Sequence, residues 1–191
     1  MLPIVEEILR TKQVRTVDGA ATLPLKDSID EPIGLLLQKL IAEKRPSVTM
    51  EIGLAYGLST LFICEALASV GGKRHIAIDA FQSSIWGGIG LHHVRTAGYG
   101  NLLELREELS QDALPRLVAE GVKVDLAYID GTHMVETDTA PDGALKGVNG
   151  DVAQAANAGQ RFANKQGGEA VGQANFHGDR RALFGDEFLQ Q

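Results

Sequence analysis

Apolar residues follow two different spacings along most of this chain, and the change from one spacing to the other predicts its helices and strands. Residues 3–10 have the spacing of a short amphipathic helix, and the polar residues 11–28 indicate turns on the surface. The next segment starts at Asp30, a typical helix cap, and carries apolar residues at i, i+3, i+4, i+7 and i+8 until Pro46 ends it. These patterns predict two helices joined by an irregular segment.

Short apolar runs alternate with helical patterns from residue 48 onward. The predicted strands are 48–52, 75–78, 102–106 and 124–129, and the predicted helices are 58–69, 87–97 and 112–120. Strands that alternate with such helices are typical of βαβ units, whose parallel strands are covered by helices on both faces. The sequence therefore predicts an α/β fold with a doubly wound parallel sheet.

The composition changes sharply after Met134. Only 11 of the 57 residues from 135 to 191 are Val, Leu or Phe, and none is Ile. That is close to the level of about 20% below which burial does not offset chain entropy. We therefore expect a folded core over 1–134 and, over 135–191, a tail of low hydrophobicity without strands, which is disordered.

Charge and cysteine content exclude several classes of partner. The net charge is −7, with 18 basic and 25 acidic residues and no basic cluster, which argues against nucleic acid and anionic lipid. The longest uncharged runs fall short of the ~20 apolar residues that a membrane span requires. A single cysteine, Cys64, forms no internal disulfide, so a cytosolic (cytoplasmic) protein is expected.

The most specific motif is the segment EIGLAYGLST, residues 51–60, between a predicted strand and a predicted helix. Gly53 and Gly57 allow a tight turn and a close approach of the backbone to a ligand, and free amides at a helix start favour polar or anionic groups. The segment is predicted to be a cofactor-binding turn. The alternative is a glycine-containing turn that binds nothing.

A carboxylate at the end of the second predicted strand extends this motif. Asp79 can accept hydrogen bonds from ribose hydroxyls, although a lone aspartate at a strand end is more often a cap or a turn residue. The glycine spacing from Gly53 to Gly57 lacks the GxGxxG pattern of dinucleotide sites, so NAD fits poorly. An acid before the first glycine, Glu51, instead suits a ligand with an ammonium group.

Together these motifs resemble the class I S-adenosylmethionine-dependent methyltransferases, in the branch that methylates oxygen on small molecules. The resemblance covers residues 33–134 through EIGLAYGLSTLFICEAL, DAFQSSIWGGIGLHHV, ELSQDALPRL and DLAYIDGTHM. It implies a Rossmann-like sheet with strand order 3-2-1-4-5-7-6 and S-adenosylmethionine as cofactor. Because the tail offers no apolar run, we expect the sheet to end at the fourth strand, as in a truncated methyltransferase. The alternative is a divergent, flexible C-terminal segment.

The resemblance also assigns roles to residues. Glu51 would hold the amino group of the cofactor, the backbone from Gly53 to Gly57 its methionine part, Asp79 its ribose, and Phe81 with the Ser110 region its adenine. Ser110 could equally cap the next helix. The cofactor-binding residues implied are Glu51, Gly53, Leu54, Ala55, Tyr56, Gly57, Ser59, Asp79, Phe81, Ser110 and Asp130. Ala55 stands where the family more often has glycine.

Asp130 and His133 are the predicted catalytic residues, on the acceptor side. Methyl transfer to a hydroxyl requires alignment and removal of a proton, and a neutral histidine is a competent base at pH 7. The alternative for His133 is a surface position. Similar methyltransferases bind a divalent cation through the aspartate at position 130, but one carboxylate is too few for an ion that takes about six oxygens.

Other residues that could carry chemistry have plainer interpretations. His92 and His93 are expected on a helix surface or a substrate loop rather than on a metal. Trp86 lines an acceptor pocket or packs on the core, and Cys64 is expected to be a small buried residue.

The predicted function is O-methylation of a small-molecule acceptor. The alternatives are a non-catalytic protein that binds S-adenosylmethionine or another nucleoside, and a nucleotide-dependent oxidoreductase. The sequence specifies no oligomeric state, a homodimer being one alternative.

Overall fold

The computed structural model of the chain describes residues 1–131 and three short strands at 151–154, 164–166 and 169–171. Its helices are α1 Pro3–Thr11, α2 Glu31–Lys44, α3 Leu58–Ser69, α4 Ile89–Thr96 and α5 Ser110–Ala119. Its strands are β1 Gln13–Arg15, β2 Thr22–Pro24, β3 Val48–Ile52, β4 Arg74–Ile78, β5 Leu103–Arg106, β6 Leu126–Ile129, β7 Asp151–Gln154, β8 Asn164–Gln166 and β9 Glu169–Val171.

The central sheet has the order β5-β4-β3-β6-β7, and all of its strands are parallel. This is the expected order 3-2-1-4-5, so the prediction of a doubly wound α/β fold is confirmed. The chain adds β4 on one side of β3 and β6 on the other. Ligands of open α/β sheets bind outside the carboxyl ends of the strands at such a reversal, which lies here beyond Ile52.

Helices cover both faces of the sheet. Tyr128 of β6 points into a core shared with α1, α2, α3 and α4, whereas its neighbour Ala127 points into a second core with α5. This alternation follows from the two-residue period of a strand. Helix α3 is buried along most of its length, and Phe62 contacts Gly34 of α2 so closely that a Cβ at position 34 would lie 2.4 Å from the ring.

Helix α2 begins and ends as the sequence predicts. The Asp30 side chain accepts a hydrogen bond from the Ile33 amide at 3.2 Å. The helix ends at Lys44, and its C-cap Arg45 has a left-handed φ of 48° just before Pro46.

Two expectations about irregular segments were wrong. Residues 11–28 contain an antiparallel pair, β1 with β2, in which Gln13 faces Pro24. The expectation of no strand after residue 134, and of a sheet ending at the fourth strand, is corrected by β7, which pairs with β6 from Leu126 to Ile129. An outer strand is held by main-chain hydrogen bonds and needs no Val/Ile-rich run. The expected disorder of the tail otherwise falls outside the described residues.

No helix in the described part of the chain combines the length and the hydropathy of a bilayer-spanning segment.

Candidate functional site

The predicted cofactor turn lies at the carboxyl edge of the sheet, between the ends of three neighbouring strands. The Gly53 amide donates to the Ile78 carbonyl of β4 at 2.9 Å, and the Asp130 amide donates to the Ile52 carbonyl of β3 at 2.9 Å. The turn of residues 53–57, which we call the glycine turn, then leads into α3. The structure therefore brings Gly53, Asp79 and Asp130 together, as expected for residues at the carboxyl ends of parallel strands.

Glycine is required at both ends of this turn. Gly53 has φ 99°, and a Cβ there would lie 2.4 Å from the carbonyl oxygen of Asp130. Gly57 has φ 81°, and a Cβ there would lie 2.9 Å from the carbonyl oxygen of Gly90 in α4. Both the backbone conformation and the lack of space exclude a side chain at these positions.

Ala55, at the middle of the turn, has a left-handed φ of 45°. This region disfavours residues with a Cβ by roughly 1–2 kcal/mol, which gives a physical reason for a glycine at the equivalent position of the resembling family. Hydrogen bonds on both sides hold the strained residue: its amide donates to Asp79 at 2.8 Å, and its carbonyl accepts from the Gln82 side chain at 2.9 Å.

Asp79 contacts the main chain of the glycine turn directly. Its Oδ2 accepts from the amides of Leu54 at 3.1 Å and Ala55 at 2.8 Å, and its Oδ1 accepts from the Phe81 amide at 2.9 Å. The side chain is only 7% exposed. A carboxylate offers about four acceptor positions, so the three amides leave about one for a ligand. Asp79 therefore shapes the turn and retains one acceptor position.

Glu51 lies beneath the turn rather than in the open. It is completely buried, and its carboxylate accepts hydrogen bonds from Ser59 Oγ at 2.9 Å and from the Thr60 hydroxyl. His75 of β4 places Nε2 3.2 Å from Glu51 Oε1, within ion-pair distance but not aligned for a hydrogen bond, and its Nδ1 lies 2.9 Å from Thr49 Oγ1. The Glu51 carboxylate thus holds the start of α3.

Sequence reasoning missed His75 and Thr60. The available signal was a histidine inside a short apolar strand, aligned with the polar positions of its neighbour: Thr49 pairs with His75 in the register of β3 and β4. Because Thr49 and Glu51 are two residues apart, their side chains lie on the same face as the histidine.

The start of α3 offers donors to a ligand. Its N-cap is Gly57, which has no side chain to accept from the first amides of the helix. The first amides of a helix have no partner within the helix, and together with the helix dipole they favour a carboxylate or another anion. The fit of a cofactor with a carboxylate is therefore good at this end of the glycine turn.

A small cleft, partly open to solvent, adjoins the turn. Its lining includes the glycine turn, Ser59, Asp130 and a segment before α2, residues 27–29, which sequence reasoning did not single out. The lining carries two carboxylates, Asp27 and Asp130. The cleft therefore suits a ligand with positive charge.

Tyr128 fixes the carboxylate of Asp130. Its hydroxyl donates to Asp130 Oδ2 at 3.0 Å. Burial, and then the nearby carboxylate, raise the pKa of Tyr128 well above its usual range, so it stays a neutral donor.

The two residues assigned to the adenine follow β4 and β5, at the carboxyl edge of the sheet. Phe81 is 43% exposed, and its amide donates to Asp79. Ser110 is the first residue of α5, whose N-cap is Leu109, so Ser110 does not cap that helix. The amide and hydroxyl of Ser83 donate to Glu107 at 2.6 and 2.8 Å, which links the loop that carries Phe81 to the loop that leads into α5.

One expectation about the paired histidines was wrong. His92 is exposed, but His93 is buried, and its Nδ1 lies 2.9 Å from the Tyr56 carbonyl in the glycine turn. Adjacent helical residues point in different directions, so one of the pair faces solvent and the other faces the turn. Burial lowers the pKa of His93, which keeps the imidazole neutral at pH 7.

Two further expectations have clear outcomes. Trp86 packs edge-on against Tyr56, with ring centroids 5.0 Å apart and planes at 78°. It is half-buried against the core, which was one of its two predicted positions. Cys64 is buried, and burial raises the pKa of its thiol, so its expected role as a small buried residue is confirmed.

His133 lies outside the described residues. Within the described part of the chain, no three His, Cys, Asp or Glu residues are grouped so as to hold a metal ion.

Comparisons with known proteins agree with this fold. A family model described as a methyltransferase domain matches residues 50–145. The O-methyltransferase TomG from Streptomyces achromogenes, solved in complex with SAM, is 23% identical, has a TM-score of 0.57, and matches over 68% of this chain and 56% of its own. The O-methyltransferase from Bacillus cereus, in complex with SAH, is 24% identical with a TM-score of 0.63 over 82% of this chain and 66% of its own.

A putative O-methyltransferase from Klebsiella pneumoniae is 20% identical, with a TM-score of 0.62 over 82% of this chain and 65% of its own. This chain thus spans between 56% and 66% of the length of the three solved structures. At these identities the likeness shows a common fold. A comparison with curated proteins gives no match.

Proposed function

Because the chain belongs to the methyltransferase domain family, whose model matches residues 50–145, we propose that it binds S-adenosylmethionine and methylates an oxygen of a small molecule. One observation carries the proposal: a glycine turn with no room for side chains at Gly53 and Gly57 joins the central strand to an uncapped helix start beside an acidic cleft. Such a site suits a ligand that has both a carboxylate and positive charge.

Different described residues would bind different parts of the cofactor. The uncapped amides of α3 would bind its carboxylate, and the remaining acceptor position of Asp79 would bind its ribose. Phe81 would cover its adenine. Asp27 and Asp130 would face its positive charges. Glu51, being completely buried, would act by holding Ser59 and Thr60 in place.

The bound cofactor would supply a methyl group on a sulfonium, ready for direct displacement. The chain's own task is then to align the acceptor oxygen with that methyl group and to take its proton. Asp130, at the end of β6, stands at the cleft where an acceptor would meet the cofactor. We assign removal of the acceptor's proton to His133, three residues further along the chain, because a neutral imidazole is a competent base at pH 7.

The acceptor and the cellular setting belong to the same proposal. The net charge of −7 and the acidic cleft disfavour phosphate-rich acceptors such as nucleic acid. The one cysteine is buried and is consistent with a cytosolic protein. A divalent cation takes about six oxygens, whereas the described lining of the cleft offers two carboxylates, Asp27 and Asp130, so no step is assigned to a cation.

The test is calorimetry followed by a methyl-transfer assay. We expect the full chain to bind S-adenosylmethionine and S-adenosylhomocysteine but not NAD, and to transfer labelled methyl groups to one or more members of a panel of phenols, catechols and hydroxy acids. Tight binding of NAD alone would favour an oxidoreductase. Binding of the cofactor without turnover across the panel would favour a non-catalytic binding protein.

The His133→Ala variant tests the assignment of the base. Loss of a general base should lower turnover by ~10²–10⁴-fold and leave the affinity for S-adenosylhomocysteine unchanged. An equal loss of affinity would place His133 in the cofactor site instead, and full activity would remove it from the mechanism.

A further inference from the structure

The glycine turn is held from one side by the segment from Gln82 to His93, which we call the buttress segment. Gln82 Nε2 donates to the Ala55 carbonyl at 2.9 Å, and His93 Nδ1 lies 2.9 Å from the Tyr56 carbonyl. Both side chains are buried, at 0% and 5% exposure. Two consecutive carbonyls of the turn therefore point at side chains of the same segment.

The chemistry of each side chain suits this task. Gln82 uses both ends of its amide, since its Oε1 accepts from the Leu91 amide of α4 at 3.3 Å while its Nε2 holds Ala55. A neutral imidazole has one N–H, and the Tyr56 carbonyl places it on Nδ1 of His93. Gly90 permits the close approach of α4 to the glycine turn, because a Cβ there would lie 2.4 Å from the Ala55 carbonyl oxygen.

Fixing a carbonyl also fixes the next amide. A trans peptide unit is planar, and its C=O and N–H point in opposite directions. When Gln82 holds the Ala55 carbonyl, the Tyr56 N–H must point away from the buttress segment. Among the described residues none accepts a hydrogen bond from that N–H, whereas the Gly57 N–H donates to the Leu54 carbonyl at 2.7 Å. Tyr56 itself lines the cleft.

We propose that Gln82 and His93 are positioning residues that direct the Tyr56 amide at the carboxylate end of the cofactor. This inference rests on the proposed function. The pair touches only the far side of the turn, so its effect on a ligand is exerted through the backbone. Its effect should therefore depend on whether the ligand has a carboxylate.

Two ligands separate this role from a general structural one. S-adenosylhomocysteine carries the amino-acid carboxylate, and 5′-methylthioadenosine has the same nucleoside and thioether without it. We expect Gln82→Met and His93→Leu, which remove the donors at similar volume, each to weaken S-adenosylhomocysteine roughly tenfold in calorimetry. The affinity for 5′-methylthioadenosine should change by less than about twofold.

Two further variants complete the experiment. His93→Asn keeps a donor near the position of Nδ1 and should restore S-adenosylhomocysteine binding to within about threefold of wild type. His92→Leu, on the exposed neighbour, is the matched control and should bind both ligands as wild type does. If far-UV circular dichroism shows that His93→Leu does not fold, Gln82→Met decides the matter.

The outcomes distinguish the two proposals. Equal weakening of both ligands, or unchanged binding of S-adenosylhomocysteine in Gln82→Met, overturns the positioning role and leaves the proposed function standing. A wild-type chain that binds neither ligand refutes the proposed function, and the positioning role with it.

Discussion

Replacing Asp79 by asparagine tests how the glycine turn is held. An asparagine side chain keeps one acceptor oxygen and loses the charge, whereas Asp79 now accepts from the amides of Leu54, Ala55 and Phe81. With its oxygen toward the turn, asparagine loses the Phe81 contact and turns the other two into neutral hydrogen bonds. Hydrogen bonds to charged groups contribute about 1.5–3 kcal/mol and neutral ones about 0.5–1.5, so we expect the free energy of unfolding to fall by at least about 3 kcal/mol.

Asp125 provides a matched control at the opposite end of the sheet. Its Oδ2 accepts from the amides of Ser47 and Val48 at 2.8 and 2.9 Å, but the residue is exposed. Water can replace those contacts, so Asp125→Asn should cost about 1 kcal/mol or less. It lies at the amino end of β3, away from the cleft, and should leave cofactor affinity unchanged.

Urea denaturation is the assay. The single tryptophan, Trp86, packs against Tyr56 of the turn and reports on this region by fluorescence, while far-UV circular dichroism follows the whole chain. A loss of 3 kcal/mol is a large part of the 5–15 kcal/mol of a typical domain and shifts the midpoint clearly. If Asp79→Asn unfolds at the same urea concentration as Asp125→Asn, the carboxylate does not hold the turn and the reasoning fails.

Two further predictions concern the same turn. Ala55→Gly relieves the left-handed φ but increases the entropy of the unfolded chain, so the free energy of unfolding should change by less than about 0.5 kcal/mol. Ala55→Val should lower the free energy of unfolding by about 2 kcal/mol, because a β-branched residue resists that φ. Equal urea midpoints for the wild type and both variants would contradict this. Burial holds the pKa of His93 below its ordinary value of 6.5. Its contribution to stability is therefore complete above pH 6.5 and is lost as the pH falls below that value. The melting temperature should fall less steeply with decreasing pH in His93→Asn than in the wild type.

The sequence was informative where a residue's place in the chain decides its place in the fold. Gly53, Asp79 and Asp130 each end a strand, and parallel strands bring their carboxyl ends to one edge, so their proximity followed from the order of elements. The start of α2 at Asp30 was predictable for a similar reason, since a cap acts on amides three residues away.

Contacts between distant surfaces were not predictable in the same way. The place of His93 against the Tyr56 carbonyl depends on which side of α4 faces the turn, and the sequence does not state this for a helix of eight residues. The direction of Glu51 depends on the strand's alternation: one residue's shift would have placed the carboxylate on the other face. Strand β7 was missed because its sequence, DVAQ, lacks the apolar run used to recognise buried strands.

The polar cluster of Thr49, Glu51 and His75 has a consequence for how the chain selects its fold. Strands β3 and β4 are short and mostly apolar, so hydrophobic burial alone distinguishes poorly between their correct pairing and a slipped one. In the native alignment Thr49 lies opposite His75, and the imidazole reaches Glu51. A slip by one residue would bring Arg74 or Ile76 opposite Thr49 and separate the buried side chains of Thr49, Glu51 and His75 from one another. The cluster therefore favours the native alignment of the two strands over a slipped one as the sheet assembles.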